Sequence, residues 1–303
     1  MKIVVLMSTY NGEKYLKEQL DSLIDQDVKP SKIFIRDDGS KDSTAEILEE
    51  YASNYNFIEY YAGKNIGPAK SFFELINKCE GYDYYFLCDQ DDYWQKDKIS
   101  SAINMLEKED KSIPLLYTGR FKLTDENLNI INSDISKLYS YTDFAHSLIY
   151  HTAPGCTFAF NDEARKQIIK YDVNKEYCVI HDAIIHKVVA MLGKVILDEE
   201  PHMLYRQHKN NVYGLTANKS KEFIHRVNNF LNGNVKRYRS NTAKSLLNVY
   251  GDICSKENKE LLNIVGNYVD NSSLKKQLIN SELFKTHTVN DFFFKILVLA
   301  NYI

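Results

Sequence analysis

Residues 84–94 read Tyr-Tyr-Phe-Leu-Cys-Asp-Gln-Asp-Asp-Tyr-Trp. The stretch begins with an apolar run that is typical of a strand buried in a parallel sheet. The run ends in three carboxylates, Asp89, Asp91 and Asp92. Carboxylates this crowded repel one another unless a cation lies among them, and their hard oxygen atoms suit Mg²⁺ or Mn²⁺. Because ligands of open α/β sheets bind beyond the carboxyl ends of the strands, the stretch predicts a binding site; a solvated acidic turn is the alternative interpretation.

The residues before this stretch alternate between predicted strands and predicted helices. Four apolar runs indicate strands, at residues 2–7, 32–36, 56–61 and 84–88. Apolar residues at helical spacing follow each of the first three runs. Strand–helix repeats of this length predict βαβ units and a parallel sheet. The chain contains neither the glycine fingerprint of a dinucleotide-binding fold nor a P-loop, which argues against both of those sites.

Four short motifs follow these strands in order. They are Ser8-Thr9-Tyr10-Asn11-Gly12, Arg36-Asp37-Asp38-Gly39-Ser40, Asn65-Ile66-Gly67 and Asp89-Gln90-Asp91-Asp92. Together they resemble the family 2 glycosyltransferases, and within them the bacterial rhamnosyltransferase-like group that elongates surface polysaccharides. Further matches reach Tyr205-Arg206-Gln207-His208, so the resemblance extends to residue 208 of the 303.

The resemblance implies the GT-A fold, an α/β fold with a mixed sheet flanked by helices, followed here by a helical C-terminal region. We expect a glycosyltransferase domain at residues 1–215, with a nucleotide-binding half at 1–100 and an acceptor half at 101–215, and the helical region at 216–303. The implied donor is a UDP- or dTDP-sugar, with dTDP-rhamnose favoured. The implied acceptor is an oligosaccharide or a lipid-linked glycan, and the implied reaction inverts the anomeric centre and depends on Mn²⁺ or Mg²⁺.

The strand ends are expected to bind the nucleotide sugar. The expected contacts come from Thr9, Tyr10, Asp37, Asp38, Asn65, Gly67, Asp89 and Arg206. A carboxylate can accept the N3–H of a pyrimidine, and by resemblance Asp37 matches that position better than Asp38, while Asp89 faces the ribose. Tyr10 offers an aromatic ring to the base. Turn formation is the alternative role of the Asp-Asp-Gly-Ser and Asn-Ile-Gly segments.

Two residues are expected to bind the metal ion. Asp91 is the first expected ligand, and by resemblance His208 completes an Asp/His site. Imidazole suits Mn²⁺ better than Mg²⁺, so His208 favours manganese. The sequence leaves three roles open for Asp92: a further metal ligand, a residue that supports the ligands, or the N-cap of a helix at residues 98–106. Arg206 could clamp the diphosphate.

The reaction also needs a base that takes the proton of the acceptor hydroxyl. An apolar run at residues 177–180 ends in His181-Asp182, and by resemblance Asp182 is the catalytic aspartate. The residues leave two alternatives open. Asp182 could N-cap a helix at residues 183–192, or His181 could be the base and Asp182 its orienting partner.

The acceptor side is expected to include a strand at residues 155–161, which contains the family-like segment Gly155-Cys156-Thr157. A turn at Pro154 would lead into this strand. His151 and Thr152 are candidate contacts to the acceptor sugar.

Composition is consistent with a cytoplasmic enzyme. The formal charge of −3 gives no general attraction to nucleic acid. The five cysteines are scattered and lack a Cys-x-x-Cys pair, which fits buried thiols in a reducing compartment. The N-terminal apolar run is too short for a secretory signal peptide and suits a strand. No apolar run reaches the roughly 18 residues that span a bilayer.

The residues after about position 220 differ in character. Helical spacing replaces the strand pattern, as at Phe223, Val227, Phe230 and Leu231. Basic residues cluster at Lys219, Lys221, Arg226, Lys236, Arg237 and Arg239. Residues 291–303 are almost wholly apolar. This composition favours peripheral contact with the anionic inner face of the plasma membrane; packing on the catalytic domain or in a homodimer is the alternative.

Two other functional classes remain besides a glycosyltransferase. A nucleotidyltransferase acting on sugar phosphates also uses an α/β fold and carboxylate-held Mg²⁺, but it needs a glycine-rich basic phosphate loop that residues 8–12 do not contain. A non-catalytic sugar-nucleotide-binding assembly partner would bind nucleotide without turnover. The presence of both Asp182 and His208 argues against that second class.

Overall fold

The computed structural model describes residues 1–133, 135–138, 141–150, 153–209, 211, 236–285 and 289–303. These residues group into two compact units. The first unit takes the described residues of Met1–Ser140, Thr152–Lys170 and Val179–Gly214. The second takes those of Tyr141–His151, Tyr171–Cys178 and Leu215–Ile303, so it includes two segments from within residues 101–215.

The first unit is built on one sheet, in which the described residues form nine strands. They are β1 (Ile3–Thr9), β2 (Lys32–Asp37), β3 (Ile58–Ala62), β4 (Tyr84–Asp89), β5 (Tyr93–Trp94), β6 (Leu115–Thr124), β7 (Ile130–Asn132), β8 (Phe158–Asn161) and β9 (Lys194–Arg206). The strand order is β3-β2-β1-β4-β8-β6-β9-β5, and β7 pairs with β6. The sheet is mixed, because β8 runs antiparallel to both β4 and β6.

Eleven α-helices occur in the described residues. They are α1 (Leu16–Ile24), α2 (Thr44–Asn54), α3 (Pro68–Lys78), α4 (Lys98–Leu106), α5 (Phe144–Ile149), α6 (Asp162–Ile168), α7 (His181–Leu192), α8 (Tyr238–Tyr250), α9 (Lys256–Asn267), α10 (Ser272–Asn280) and α11 (Val289–Leu299). Helices α1 to α4, α6 and α7 belong to the first unit, and the other five belong to the second.

The predicted βαβ pattern is confirmed in the first four large strands. Strands β1, β2, β3 and β4 are parallel neighbours. The centre of β1 is fully buried, which explains why the sequence shows an uninterrupted apolar run there. In register, Thr9 lies beside Asp37, and Ser8 lies beside Asp89. The polar ends of three strands therefore meet at one edge of the sheet.

The second half of the sheet differs from the prediction in one place. Residues 155–161 are not a single strand, because Gly155–Thr157 forms a 3₁₀ turn before β8 begins at Phe158. The turn is held by Thr157, whose backbone N–H and hydroxyl both donate to the Pro154 carbonyl at 3.0 and 2.7 Å. Strand β9 is 13 residues long and pairs with both β6 and β5.

The second unit is helical in its described part. Its core contains fully buried side chains such as Leu246, Tyr250, Leu262 and Tyr268. Helices α8 and α9 approach closely where the Ser240 hydroxyl donates to the Gly266 carbonyl at 2.6 Å. The predicted apolar positions Phe223, Val227, Phe230 and Leu231 and the basic residues Lys219, Lys221 and Arg226 lie outside the described residues. Among the helices that are described, none combines the length and the apolar character needed to cross a bilayer.

Candidate active site

The end of β2 places two adjacent carboxylates in different surroundings. Asp37 accepts hydrogen bonds from the Thr9 hydroxyl at 3.0 Å and from the Ser40 backbone N–H at 3.0 Å. Asp38 accepts the backbone N–H groups of Ile66 and Gly67, each at 2.8 Å, and pairs with Arg36. Asp38 therefore holds the turn after β3, while Asp37 ties the ends of β1 and β2 together.

That turn leads directly into α3. Gly67 has a φ of +80°, and a Cβ built there would meet no atom within 4 Å. Pro68 then begins the helix, as its fixed φ favours. Asn65 is exposed beside it. The predicted nucleotide-binding positions Asn65 and Gly67 thus border open space at the same edge as Asp37.

The loop after β1 is clamped to the loop after β4 by Gln90. The Gln90 side chain accepts the Tyr10 backbone N–H at 2.9 Å and donates to the Tyr10 carbonyl at 3.1 Å. Gly12 makes this possible, since a Cβ at that position would lie only 2.2 Å from Gln90 Oε1. The Tyr10 side chain is 43% exposed, so its ring remains accessible.

The structure brings Asp91 and His208 together. His208 Nε2 lies 2.8 Å from Asp91 Oδ2 although the two residues are 117 positions apart. The Asp91 side chain is 18% exposed and that of His208 is 8% exposed. A carboxylate oxygen and an imidazole nitrogen that converge in this way form a donor set that suits Mn²⁺.

Three further potential metal ligands lie close to one another. Donor atoms of Asp89, Asp92 and Cys156 are within 4.8 Å of one another. Burial, and then the charges of Asp91 and Asp182, raise the pKa of Asp89 to about 7. Burial and the neighbouring carboxylates also raise the pKa of Asp92 well above its usual value. These buried carboxylates repel one another, so a nearby cation would stabilise their charged forms.

Asp92 is not the N-cap of the following helix. Helix α4 begins at Lys98 after Asp97, and Asp92 instead accepts the backbone N–H of Arg206 at 3.1 Å. Its other oxygen, Oδ2, is buried and has no hydrogen-bond partner among the described residues. Asp92 thus fixes the end of β9 next to the acidic cluster.

The Arg206 guanidinium binds other groups of the protein. Its guanidinium donates to the carbonyls of Asp91 and Glu126 at 2.8 and 2.6 Å and forms an ion pair with Glu18. The side chain is 2% exposed. This arrangement is better suited to holding the Asp91 loop than to contacting a phosphate.

Asp182 lies in the first turn of α7 and is not its N-cap, because the helix begins one residue earlier, at His181. Its carboxylate accepts the backbone N–H groups of Gly155 at 3.2 Å and Ala183 at 2.6 Å. Burial raises the pKa of Asp182 to about 6. The charge of Asp182 also acts on Asp89, which places the two carboxylates in one region.

His181 has surroundings that do not suit a base. Its ring stacks on Phe72 with centroids 4.2 Å apart, and burial lowers the pKa of the imidazole to about 3. Its Nε2 is buried without a hydrogen-bond partner in the described part of the chain. Asp182 bonds to backbone N–H groups and therefore does not orient His181. The acceptor candidates His151 and Thr152 lie outside the described residues.

Several residues of this site were not predicted from the sequence. Tyr15 contacts both Arg206 and His208, Glu18 pairs with Arg206, and the Gln90 side chain clamps the first loop. Tyr15 immediately precedes α1, and Glu18 lies in its first turn. The sequence pattern of a helix start predicts only whether such residues are buried or exposed. Their contact with residues near 206 depends on tertiary structure and leaves no local sequence signal.

Comparisons with known proteins identify the family to which the chain belongs. The family model described as glycosyl transferase family 2 matches residues 4–169. A dTDP-rhamnosyl transferase RfbG of Shigella flexneri is 34% identical over 224 residues, which cover 69% of this chain and 73% of that protein. An uncharacterized glycosyltransferase of Rickettsia typhi is 24% identical over 94% of this chain and 95% of its own length.

Solved structures show the same fold. The crystal structure of Staphylococcus aureus TarS 1-349 in complex with UDP-GlcNAc superposes with a TM-score of 0.60 at 18% identity, covering 99% of this chain and 80% of that chain. The mixed sheet flanked by helices is accordingly the GT-A fold. The family match and the Shigella relative together show that the chain belongs to glycosyltransferase family 2.

Proposed function

We propose that this glycosyltransferase moves rhamnose from dTDP-rhamnose to a growing cell-surface polysaccharide or lipid-linked glycan. The donor sugar is suggested by the name of the Shigella flexneri relative, a dTDP-rhamnosyl transferase. The observation that carries the proposed chemistry is the contact between Asp91 and His208 at 2.8 Å, at the edge where the ends of β1, β2 and β4 meet.

In this proposal the strand ends bind the donor. Asp37 accepts the N3–H of the pyrimidine, and the exposed ring of Tyr10 packs against the base. Asn65 and Gly67 border the nucleotide, and Asp89 faces the ribose. Asp38 supports the site through its bonds to the Ile66 and Gly67 backbone.

Asp91 and His208 would hold a divalent cation, Mn²⁺ or Mg²⁺, and diphosphate oxygens and water would complete its coordination. When bound, such a cation stabilises the negative charge that develops on the diphosphate leaving group. The protein residues that act with it are Arg206, which holds the Asp91 loop, and Asp92, which holds the end of β9.

Asp182 would act as the base. Its carboxylate takes the proton of the acceptor hydroxyl while that oxygen attacks the anomeric carbon on the face opposite the diphosphate. The bond from the anomeric carbon to the diphosphate oxygen breaks as the new glycosidic bond forms, so the configuration inverts. The backbone N–H groups of Gly155 and Ala183 hold the Asp182 carboxylate in place for this proton transfer.

We place the reaction in the cytoplasm, with peripheral contact at the inner face of the plasma membrane where a lipid-linked acceptor would lie. The support is the outer face of α11. Phe292, Phe293, Ile296 and Leu299 are between 41 and 64% exposed there, which is unusual for four large apolar side chains on one helix.

Hydrolysis of a panel of sugar nucleotides in the absence of acceptor tests the donor assignment. The purified protein is incubated with dTDP-rhamnose, UDP-glucose, UDP-N-acetylglucosamine and GDP-mannose, each with Mn²⁺ and with chelator. We expect release of dTDP from dTDP-rhamnose only when Mn²⁺ is present. Preferred hydrolysis of another donor would reject rhamnose, and equal rates with chelator would reject the metal requirement.

A further inference from the structure

The ring of Tyr15 lies against Arg206, the last residue of β9, and against His208 two residues later. The Arg206 guanidinium is 4.6 Å from the Tyr15 ring centroid, and the His208 ring centroid is 4.8 Å away at an interplanar angle of 30°. Tyr15 is only 9% exposed, and its hydroxyl makes a long hydrogen bond of 3.3 Å to Glu126. The aromatic ring, more than the hydroxyl, therefore makes the contacts.

Arg206 links the Tyr15 ring to Asp91 as well as lying near His208. Its Nε donates to the Asp91 backbone carbonyl at 2.8 Å, so the guanidinium that lies against Tyr15 also restrains the Asp91 loop. Glu18, in the first turn of α1, pairs with the same guanidinium. A single cluster, made of Tyr15, Glu18 and Arg206, thus contacts both Asp91 and His208.

We infer that Tyr15 and Arg206 are positioning residues that hold Asp91 and His208 in the geometry that binds the metal. The inference rests on the proposed metal-binding role of Asp91 and His208. An imidazole and a carboxylate on separate segments lose freedom when they meet at one ion, and partners that have already fixed both segments lower that cost. Tyr15 fixes the His208 ring, and Arg206 fixes the Asp91 main chain.

A purely structural role for the same cluster predicts a different result. If Tyr15 only fills space between α1 and β9, its loss lowers stability without changing the affinity for metal in the molecules that remain folded. If it positions His208, its loss weakens metal binding in folded protein, and an excess of metal restores function. The two roles are therefore separated by measuring metal affinity and stability on the same variants.

The experiment measures Mn²⁺ binding to the full chain by the electron paramagnetic resonance signal of free Mn²⁺, alongside thermal unfolding. Tyr15→Leu removes the ring, and we expect its Mn²⁺ dissociation constant to rise about tenfold. Tyr15→Phe keeps the ring and should bind Mn²⁺ as the unmodified chain does. Tyr84→Leu is the control, because Tyr84 is also a buried tyrosine but begins β4, at the opposite end of that strand from Asp89.

A second variant keeps the test valid if Tyr15→Leu fails to fold. Arg206→Lys retains the charge but loses the forked contacts to the Asp91 and Glu126 carbonyls, and we expect similar weakening of Mn²⁺ binding. In either variant the Mn²⁺ concentration for half-maximal donor hydrolysis should rise while the rate at saturating Mn²⁺ recovers.

Two outcomes overturn the inference and differ from each other. If Asp91→Ala abolishes Mn²⁺ binding but Tyr15→Leu and Arg206→Lys bind Mn²⁺ normally, the cluster is only structural. If Asp91→Ala and His208→Ala themselves bind Mn²⁺ normally, the metal assignment in the proposed function is wrong, and no positioning role follows.

Discussion

At the scale of single residues, side chains that are adjacent in sequence differ in charge state and in possible role because they contact different groups. His181 and Asp182 are adjacent in sequence, yet the imidazole stacks on Phe72 and stays neutral, while the carboxylate receives two backbone N–H groups. Hydrogen bonds to a carboxylate favour its charged form, which opposes the effect of burial. Gly155 provides one of these N–H groups, and a Cβ at that position would lie 2.7 Å from His181 Nε2. This local packing makes Asp182 the better candidate for the base.

The first prediction concerns that choice. Asp182→Asn should lower turnover by on the order of a hundredfold or more, because the amide cannot take a proton. Donor affinity should change little, since proton transfer occurs only in the transition state. His181→Gln serves as the comparison and should retain most of its turnover. Steady-state kinetics with acceptor and calorimetry with dTDP measure both effects. If His181→Gln loses activity and Asp182→Asn does not, the roles are reversed.

At the scale of elements, α11 has two apolar faces with different surroundings. Phe294 and Val298 are buried at 6% and 0% exposure, so one face packs within the second unit. The opposite face, with Phe292 and Leu299, is exposed. One cation lies at the C-terminal end of α11, where the Lys275 ammonium group donates to the Leu299 carbonyl at 3.2 Å. An apolar face with a cation at its end complements an anionic bilayer surface.

The second prediction tests this face with vesicles. The protein should sediment with vesicles of phosphatidylglycerol and phosphatidylcholine, less so as salt rises, and not with phosphatidylcholine alone, since each basic residue near an anionic surface contributes about 1 kcal/mol. Replacing Phe292 and Phe293 by Ser should abolish binding. The matched control replaces Ile130 and Ile131, which are 55 and 52% exposed on β7, by Ser and should leave binding intact.

A different partner for α11 would give a different result. Sedimentation of the unmodified chain as a dimer, converted to a monomer by the Phe292 and Phe293 replacements without any vesicle binding, would reject the membrane contact. It would assign the exposed face to a second copy of the chain instead.

At the scale of the whole molecule, the site exists only while the sheet of the first unit is intact. Strand β9 lies between β6 and β5 in the sheet, and its end supplies Arg206 and His208. The same strand carries His202, whose Nδ1 is 3.0 Å from Asp97 Oδ2 and whose Nε2 is 3.4 Å from Asp198 Oδ2. Asp198 also accepts the Tyr117 hydroxyl at 2.9 Å. These ion pairs link β9 to the start of α4 and to β6.

The third prediction follows from the titration of His202. A hydrogen bond to Asp198, opposed by burial and supported by Asp97, raises the pKa of His202 above its ordinary value. A raised pKa in the folded state means that His202 contributes stability fully below its unfolded value of about 6.5, and that this contribution is lost as pH rises through the folded value. His202→Gln should therefore cost on the order of 1 kcal/mol near pH 5.5 and little near pH 8.5.

Denaturant unfolding of both proteins at the two pH values measures this difference. Tyr60→Phe, which removes an exposed hydroxyl contact to Glu49, is a control whose effect should not change across this pH range. An equal cost of His202→Gln at both pH values would show that the imidazole contributes by packing and hydrogen bonding without a titrating charge.

The sequence by itself determined the α/β class, the four parallel strands and the edge at which the site lies. The ends of the four predicted strands lie within two residues of those in β1 to β4, because a strand buried on both faces needs an apolar run and a polar or glycine residue to leave the sheet. The ordered motifs put Asp37 and Asp91 at or just beyond the ends of β2 and β4, and these ends lie at one edge because parallel strands end on the same side.

Only the tertiary structure decided which groups those side chains contact. In the folded chain the Asp38 carboxylate binds backbone N–H groups of the turn after β3, which the Asp37 carboxylate does not. The Arg206 guanidinium donates to backbone carbonyls, and the Tyr15 ring contacts the His208 ring. It also leaves one face of α11 exposed. These outcomes depend on contacts between segments far apart in the chain, whereas local periodicity records only which face of an element is buried.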